Sequence, residues 1–187
     1  MKKYLFLLFS ITILSCTSKI DPVEKEVIEL INAGGSYPVN VKYLGNFAYH
    51  LGVNPFHLFD FKDINVRIAP YLGLQVQWKK LKHYKRYKED NLIGVAFGMY
   101  DDDRIEIYID QAKWSRMNEV EKNATVFHEL AHDMFNEEHV RGGCTLMAPN
   151  LAGSACGLNS QYLTVQMRKM AKKHDRKIKK IIKKNKK

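Results

Sequence analysis

The chain has 187 residues, a formal net charge of +10 and a sequence pI of about 9.4. Its length fits one domain. The charge is lopsided: residues 168–187 hold twelve Lys or Arg against one Asp, a local +11, so everything before them sits near −1. Basicity is therefore a property of the tail, and a tail without interleaved aromatic residues argues against nucleic-acid binding.

Met1-Lys2-Lys3 is a short positive start. Residues 4–14 form an apolar run broken only by Ser10 and Thr12, too short for a stop-transfer helix. It ends in Ile13-Leu14-Ser15-Cys16, which resembles a bacterial lipobox. The implied organisation is a signal peptide over residues 1–15, a main domain over 16–170 and a basic tail over 171–187. The mature chain would begin at Cys16, carry lipid there and be held on a cell-envelope membrane. An ordinary secretory signal with a chance cysteine is the plainer alternative, and both give export.

Residues 24–31 and 41–51 read as helices, 64–68 as a strand, and 79–90 as a loop or helix end. Residues 94–100 and 104–109 then read as a hairpin joined by Asp101-Asp102-Asp103. In its second strand Ile105, Ile107 and Ile109 alternate with Arg104, Glu106 and Tyr108, a pattern that predicts one buried face. The triple aspartate reads as a solvated turn, because no second cluster completes the six or more oxygens calcium needs.

Asn118 followed by Glu121 has the form of a capping box. Val120, Ala124, Phe127, Ala131 and Met134 recur behind it at helical spacing as an apolar stripe. Beside the stripe stands His128-Glu129-Leu130-Ala131-His132, an H-E-x-x-H pattern. Four helical residues advance about 6 Å and overshoot a full turn by about 40°. The two imidazoles therefore project side by side and can close on one metal ion, with Glu129 placed to take a proton from water.

A metal site needs a third ligand. After Glu138 there is no further glutamate, and the one aspartate, Asp175, lies in the tail with His174. His139 is the candidate, provided the chain leaves the helix and turns back. Asn136 can supply that turn, because Asn tolerates the left-handed conformation. The bland alternative for His139 is an exposed loop histidine. Three imidazoles and an open fourth position suit one catalytic Zn²⁺.

Here the chain resembles the metzincin branch of the zincin metallopeptidases, whose pattern is H-E-x-x-H-x-x-G-x-x-H followed by a methionine-containing turn. His128, Glu129, His132 and His139 are followed by Cys144-Thr145-Leu146-Met147-Ala148-Pro149, which is similar to that Met-turn, with Met147 as its methionine. Two positions depart from the pattern. The third histidine comes one residue late, where Glu138 would stand, and Phe135-Asn136 replaces the glycine. With this longer spacing the chain looks similar to short bacterial lipoproteins of metallopeptidase type. The resemblance covers roughly residues 40–170 and is specific from His128 to Met147. It implies an α+β, zincin-like fold: a small mixed sheet on an active-site helix, with a short C-terminal subdomain from His139 onward. It also implies a sheet edge strand that pairs with an extended peptide substrate; either hairpin strand could serve.

With Cys16 lipidated, Cys144 and Cys156 remain as an even pair, and in an exported protein that favours a disulfide over two free thiols. Tyr162, after the Met-turn, is either an oxyanion-assisting residue or a core tyrosine. The tail starts as a helix through Tyr162, Val165, Met167 and Met170, and residues 172–187 read as a solvated end that leans on anionic lipid. Truncation after Lys173 is expected to leave the metal site unchanged. The function read from these residues is a zinc-dependent, membrane-anchored endopeptidase with Glu129 as general base and a peptide or protein as substrate. Two rivals stand beside it. One is a catalytically inactive zinc-binding or structural envelope lipoprotein. The other is a tethered binding module acting through the tail, with the histidines incidental.

Overall fold

The computed structural model describes residues 22–52, 56, 64–70, 72, 93–97, 104–140, 144–149 and 157–184. Residues 1–21, with the expected signal peptide and Cys16, lie outside that set, as do 79–90 and the triple aspartate. In chain order the elements are α1 (Pro22–Ala33), β1 (Tyr37–Pro38), α2 (Lys42–Leu51), β2 (Ile64–Ala69), β3 (Gly94–Phe97) and β4 (Ile105–Asp110). They are followed by α3 (Gln111–Trp114), α4 (Glu119–Phe135), α5 (Ser160–Lys173) and α6 (Asp175–Lys184). The protein is thus α+β with a small mixed sheet of order β1-β2-β4-β3.

The expected hairpin is present: β3 and β4 run antiparallel, with Gly94 opposite Ile109 and Phe97 opposite Glu106. β2 lies parallel to β4 on its other side, from Ile64 opposite Ile105 to Ala69 opposite Asp110. β4 is therefore interior, and β3 is the edge strand of the hairpin among the described residues.

The sheet buries both faces, not the one that alternation alone predicts. Ile105, Ile107 and Ile109 pack with Val66, Ile68 and Ala96 into the main core, which α2 and α4 complete through Phe47, Phe127 and Leu130. On the other face Tyr108 is fully buried and Glu106 is 6 % exposed. Val27 and Ile31 of α1 cover that face together with Val95, Phe97 and Leu72. The polar groups so enclosed satisfy one another, as burial demands. The Tyr108 hydroxyl and the Asn65 amide donate to the Glu106 carboxylate. Asn32 Nδ2 donates to the Tyr108 hydroxyl at 2.9 Å.

Helix α4 starts and stops as its sequence predicts. Asn118 Oδ1 accepts from the backbone of Val120 and Glu121, and Glu121 returns a carboxylate to the Asn118 amide at 2.8 Å. Such a cap contributes about 1 kcal/mol. Asn136 ends the helix at φ 53°, ψ 39°, the left-handed conformation.

Among the described residues the C-terminal region builds no core of its own. Leu146, Met147, Leu163, Met167, Met170 and Ile178 all belong to the main core with the sheet and α4. From Lys172 onward the described residues are mostly exposed, as expected of a solvated end, but the chain stays helical to Lys184 and Ile178 is buried. Ile178 faces the core and seats the helix, while Arg176 and Lys179 are exposed. Among the described residues, no helix is long and apolar enough to cross a membrane.

Candidate metal centre

Helix α4 places His128 and His132 one turn apart, and the left-handed Asn136 swings the following segment back beneath them. The Nε2 atoms of His128, His132 and His139 form a near-equilateral triangle with edges of 3.0, 3.0 and 3.1 Å. His139 stacks on His128 with 27° between the rings, and His132 stands edge-on to both. These three residues could together hold a metal ion. Glu138 is exposed and not part of the group.

Hydrogen bonding on the far side of two rings sets which nitrogens face the triangle as acceptors. His128 Nδ1 lies 2.7 Å from the Leu146 carbonyl oxygen, and His132 Nδ1 is bonded to the Glu137 carbonyl oxygen. A carbonyl can only accept, so each Nδ1 carries the hydrogen. In a neutral imidazole the other nitrogen, Nε2, then holds a bare lone pair. Two such lone pairs face each other at 3.0 Å with no hydrogen to share. A cation between them and His139 Nε2 resolves the repulsion, and a carbonyl behind each ring is the usual outer support of a metal-ligating histidine. The donor set therefore fits a metal that accepts nitrogen ligands.

Electrostatics keep the lone pairs available. Burial first, then the neighbouring His132 ring, holds His128 down at about 3. The same two causes hold His139 at about 4. Burial also lowers His132, against hydrogen bonding to the Glu137 carbonyl. All three rings are neutral at pH 7, the form that binds metal.

Glu129 is 5 % exposed. Burial, followed by the charge of nearby Asp133, pushes its carboxyl up to about 8. The carboxylate lies against β3 at Gly94, where a Cβ would stand 2.5 Å from Glu129 Oε1 and 2.8 Å from its Cδ. Glycine is what lets the strand pass this close. Asp133 is also buried, and its Oδ2 accepts from the backbone amide of Glu106 at 3.2 Å, tying α4 to β4.

Two segments brace the ligands. Residues 144–149 supply the Leu146 carbonyl to His128, and the Met147 carbonyl accepts from the Val140 amide at 2.9 Å, beside His139. Leu146 and Met147 are buried. Cys144 is disulfide-bonded; Cys16 and Cys156, the other two cysteines, lie outside the described residues.

The second brace is Glu137, which sequence reasoning missed. Its carbonyl orients His132, and its side chain, 7 % exposed, accepts from Lys173 Nζ at 2.8 Å and from His174 Nε2. His174 thus reaches the site's surroundings, contrary to the expectation for a tail histidine. Nothing local marks Glu137; the signal was the unused histidine at 174. Tyr162 is half-buried against the main core and burial raises its hydroxyl pKa. No known family model, curated protein or solved structure matches this chain.

Proposed function

We propose that the protein is a zinc-dependent endopeptidase in which His128, His132 and His139 hold one Zn²⁺ and Glu129 is the general base. One observation carries the reading: bare Nε2 lone pairs converge on a helix whose buried Glu129, next in sequence to His128, is not one of the three groups that could hold the ion. Three imidazole ligands are a donor set of catalytic zinc, whereas structural zinc sites are closed by four protein ligands.

Zinc bound there would supply Lewis acidity, polarising a peptide carbonyl and acidifying water at neutral pH. Glu129 moves the proton. Its carboxylate takes one from water as the peptide carbonyl is attacked, and returns it to the nitrogen of the leaving amine. Burial makes Glu129 a stronger base than an exposed glutamate, and a nearby cation draws its pKa back toward neutrality. Gly94 leaves the carboxylate the space it occupies against β3. β3 has no strand on its outer side among the described residues, and an extended peptide paired there would pass Glu129, although Val95, Ala96 and Phe97 are buried and that side would first have to be uncovered. Residues 144–149 serve as the Met-turn, with Met147 as the apolar floor beneath the ligands.

The N-terminal pattern supports export and a lipid anchor at Cys16, on an envelope membrane, and Cys156 is the partner proposed for Cys144. Exposed Lys and Arg of α5 and α6 would add attraction to anionic lipid at about 1 kcal/mol per basic residue near the surface.

The test is metal analysis of the purified protein, followed by cleavage of a broad peptide library with and without chelator. One zinc per chain and chelator-sensitive cleavage are expected. Zinc without cleavage would replace this reading by the inactive zinc-binding lipoprotein. No stoichiometric metal would overturn both.

A further inference from the structure

His128 and His132 are each oriented by a backbone carbonyl, but the two carbonyls are held in place differently. Leu146 is buried apolar core, eighteen residues from its histidine. Glu137 is a buried anion held from far along the chain. Lys173, the last residue of α5, bonds its Oε2 at 2.8 Å, and His174 at the α5–α6 junction bonds its Oε1. Burial pushes the Glu137 carboxyl up, and these two hydrogen bonds outweigh that, leaving it below the usual carboxylate range.

His174 is itself fixed. Its ring stacks on Phe135, the last residue of α4, with centroids 4.8 Å apart and 16° between planes. Its backbone amide donates to the Met170 carbonyl at 2.9 Å, and its carbonyl accepts from Ile178, whose side chain is buried in the main core. The line from α6 to the metal-binding nitrogens is therefore short. Ile178 seats α6, α6 holds the junction, His174 and Lys173 grip the Glu137 carboxylate, and the Glu137 carbonyl sets the plane of His132.

We propose that Glu137 is a positioning residue for His132, and that Lys173 and His174 make the C-terminal helices a working part of the metal centre. This rests on the reading of the three histidines as a metal site. It predicts that the grip acts on metal geometry and affinity and not only on folding, because a carbonyl that can wander lets the imidazole plane wander with it. Outer partners of ligating histidines typically change metal affinity by about 10–100-fold.

The experiment uses the full chain and Co²⁺ as the probe, with Zn²⁺ competition for affinity. The visible Co²⁺ spectrum reads ligand geometry directly. Glu137→Ala and His174→Ala are expected to weaken binding by about 10–100-fold and to shift that spectrum. Truncation after Lys173, which removes His174 and α6, is expected to do the same. His174→Phe keeps the stack on Phe135 and removes only the hydrogen bond, so it stays folded if His174→Ala does not; it should still shift the spectrum. Thermal unfolding separates positioning from packing: the stabilisation that metal adds should shrink in these variants, whereas a packing role would lower the metal-free and metal-loaded forms equally. Wild-type affinity and an unshifted spectrum in Glu137→Ala and His174→Phe would overturn the proposal while leaving the metal site standing. A wild-type chain that binds neither Co²⁺ nor Zn²⁺ would overturn both.

Discussion

Two glutamates, Glu106 on the α1 side of the sheet and Glu137 just past the end of α4, have nearly the same small solvent-exposed area, 6 % and 7 %, and are accommodated in opposite ways. Glu106 is enclosed by the neutral donors Tyr108 and Asn65, and burial raises its pKa despite them. Glu137 is gripped by Lys173 and His174, and its pKa falls. Glu129 is a third case, raised further than an ordinary carboxyl by burial and by Asp133. Degree of burial alone therefore says little about what a carboxylate does. The nature and origin of its partners say more: Tyr108 and Asn65 hold Glu106 within one sheet, whereas Lys173 and His174 reach Glu137 from distant helices and tie two parts of the molecule together.

The largest expected effect lies at the third glutamate. Glu129→Gln should keep the metal and lower peptide turnover by about 10²–10⁴-fold, the usual contribution of a general base. Loss of metal from that variant, or turnover within twofold of wild type, would assign Glu129 a different role. Exposed Glu138 supplies the opposite control. His139→Ala should abolish stoichiometric metal in equilibrium dialysis and Glu138→Ala should not, and the reverse result would move the third ligand to Glu138.

Gly94→Ala is a subtler way to disturb Glu129. The new Cβ must displace the carboxylate by roughly an ångström, and misplacement of that size costs on the order of 10²-fold in rate. Metal content and the Co²⁺ spectrum should be unchanged, since no ligand or brace is touched. A variant with full turnover would show that the carboxylate works from another position.

The smallest effects are the pH slopes of stability, and they separate Glu106 from Glu137 by sign. Glu106 has a raised folded pKa, so its contribution is fully present below the unfolded carboxyl pKa and is lost as pH rises through the folded value. Glu137 has a depressed folded pKa, so its contribution is present above the unfolded value and is lost as pH falls through the folded one. In urea titrations of the metal-free protein from pH 3 to 8, Glu106→Gln should gain on wild type as pH rises. Glu137→Gln should fall behind wild type near neutrality and approach it in acid. Slopes of the same sign would mean that the two carboxylates are held alike.

What the sequence determined by itself is local. The capping box at Asn118 and Glu121, the apolar stripe of α4, the adjacency of His128 and His132 and the left-handed stop at Asn136 were all legible, because each depends on residues within one or two turns. His139 was legible by elimination among few downstream ligands. Only the tertiary structure decided the rest. The alternation of β4 predicted one wet face, and α1, more than seventy residues earlier, covers it. Either hairpin strand could have been the edge until β2 was seen to pair with β4. The Leu146 and Glu137 carbonyls carry no side-chain signature at all. His174 looked remote in a basic tail, yet packing brings it onto Phe135 and Glu137. These contacts join segments that share no periodicity, and the free energy that selects them comes from burying apolar surface across the whole domain, which no window of the sequence contains.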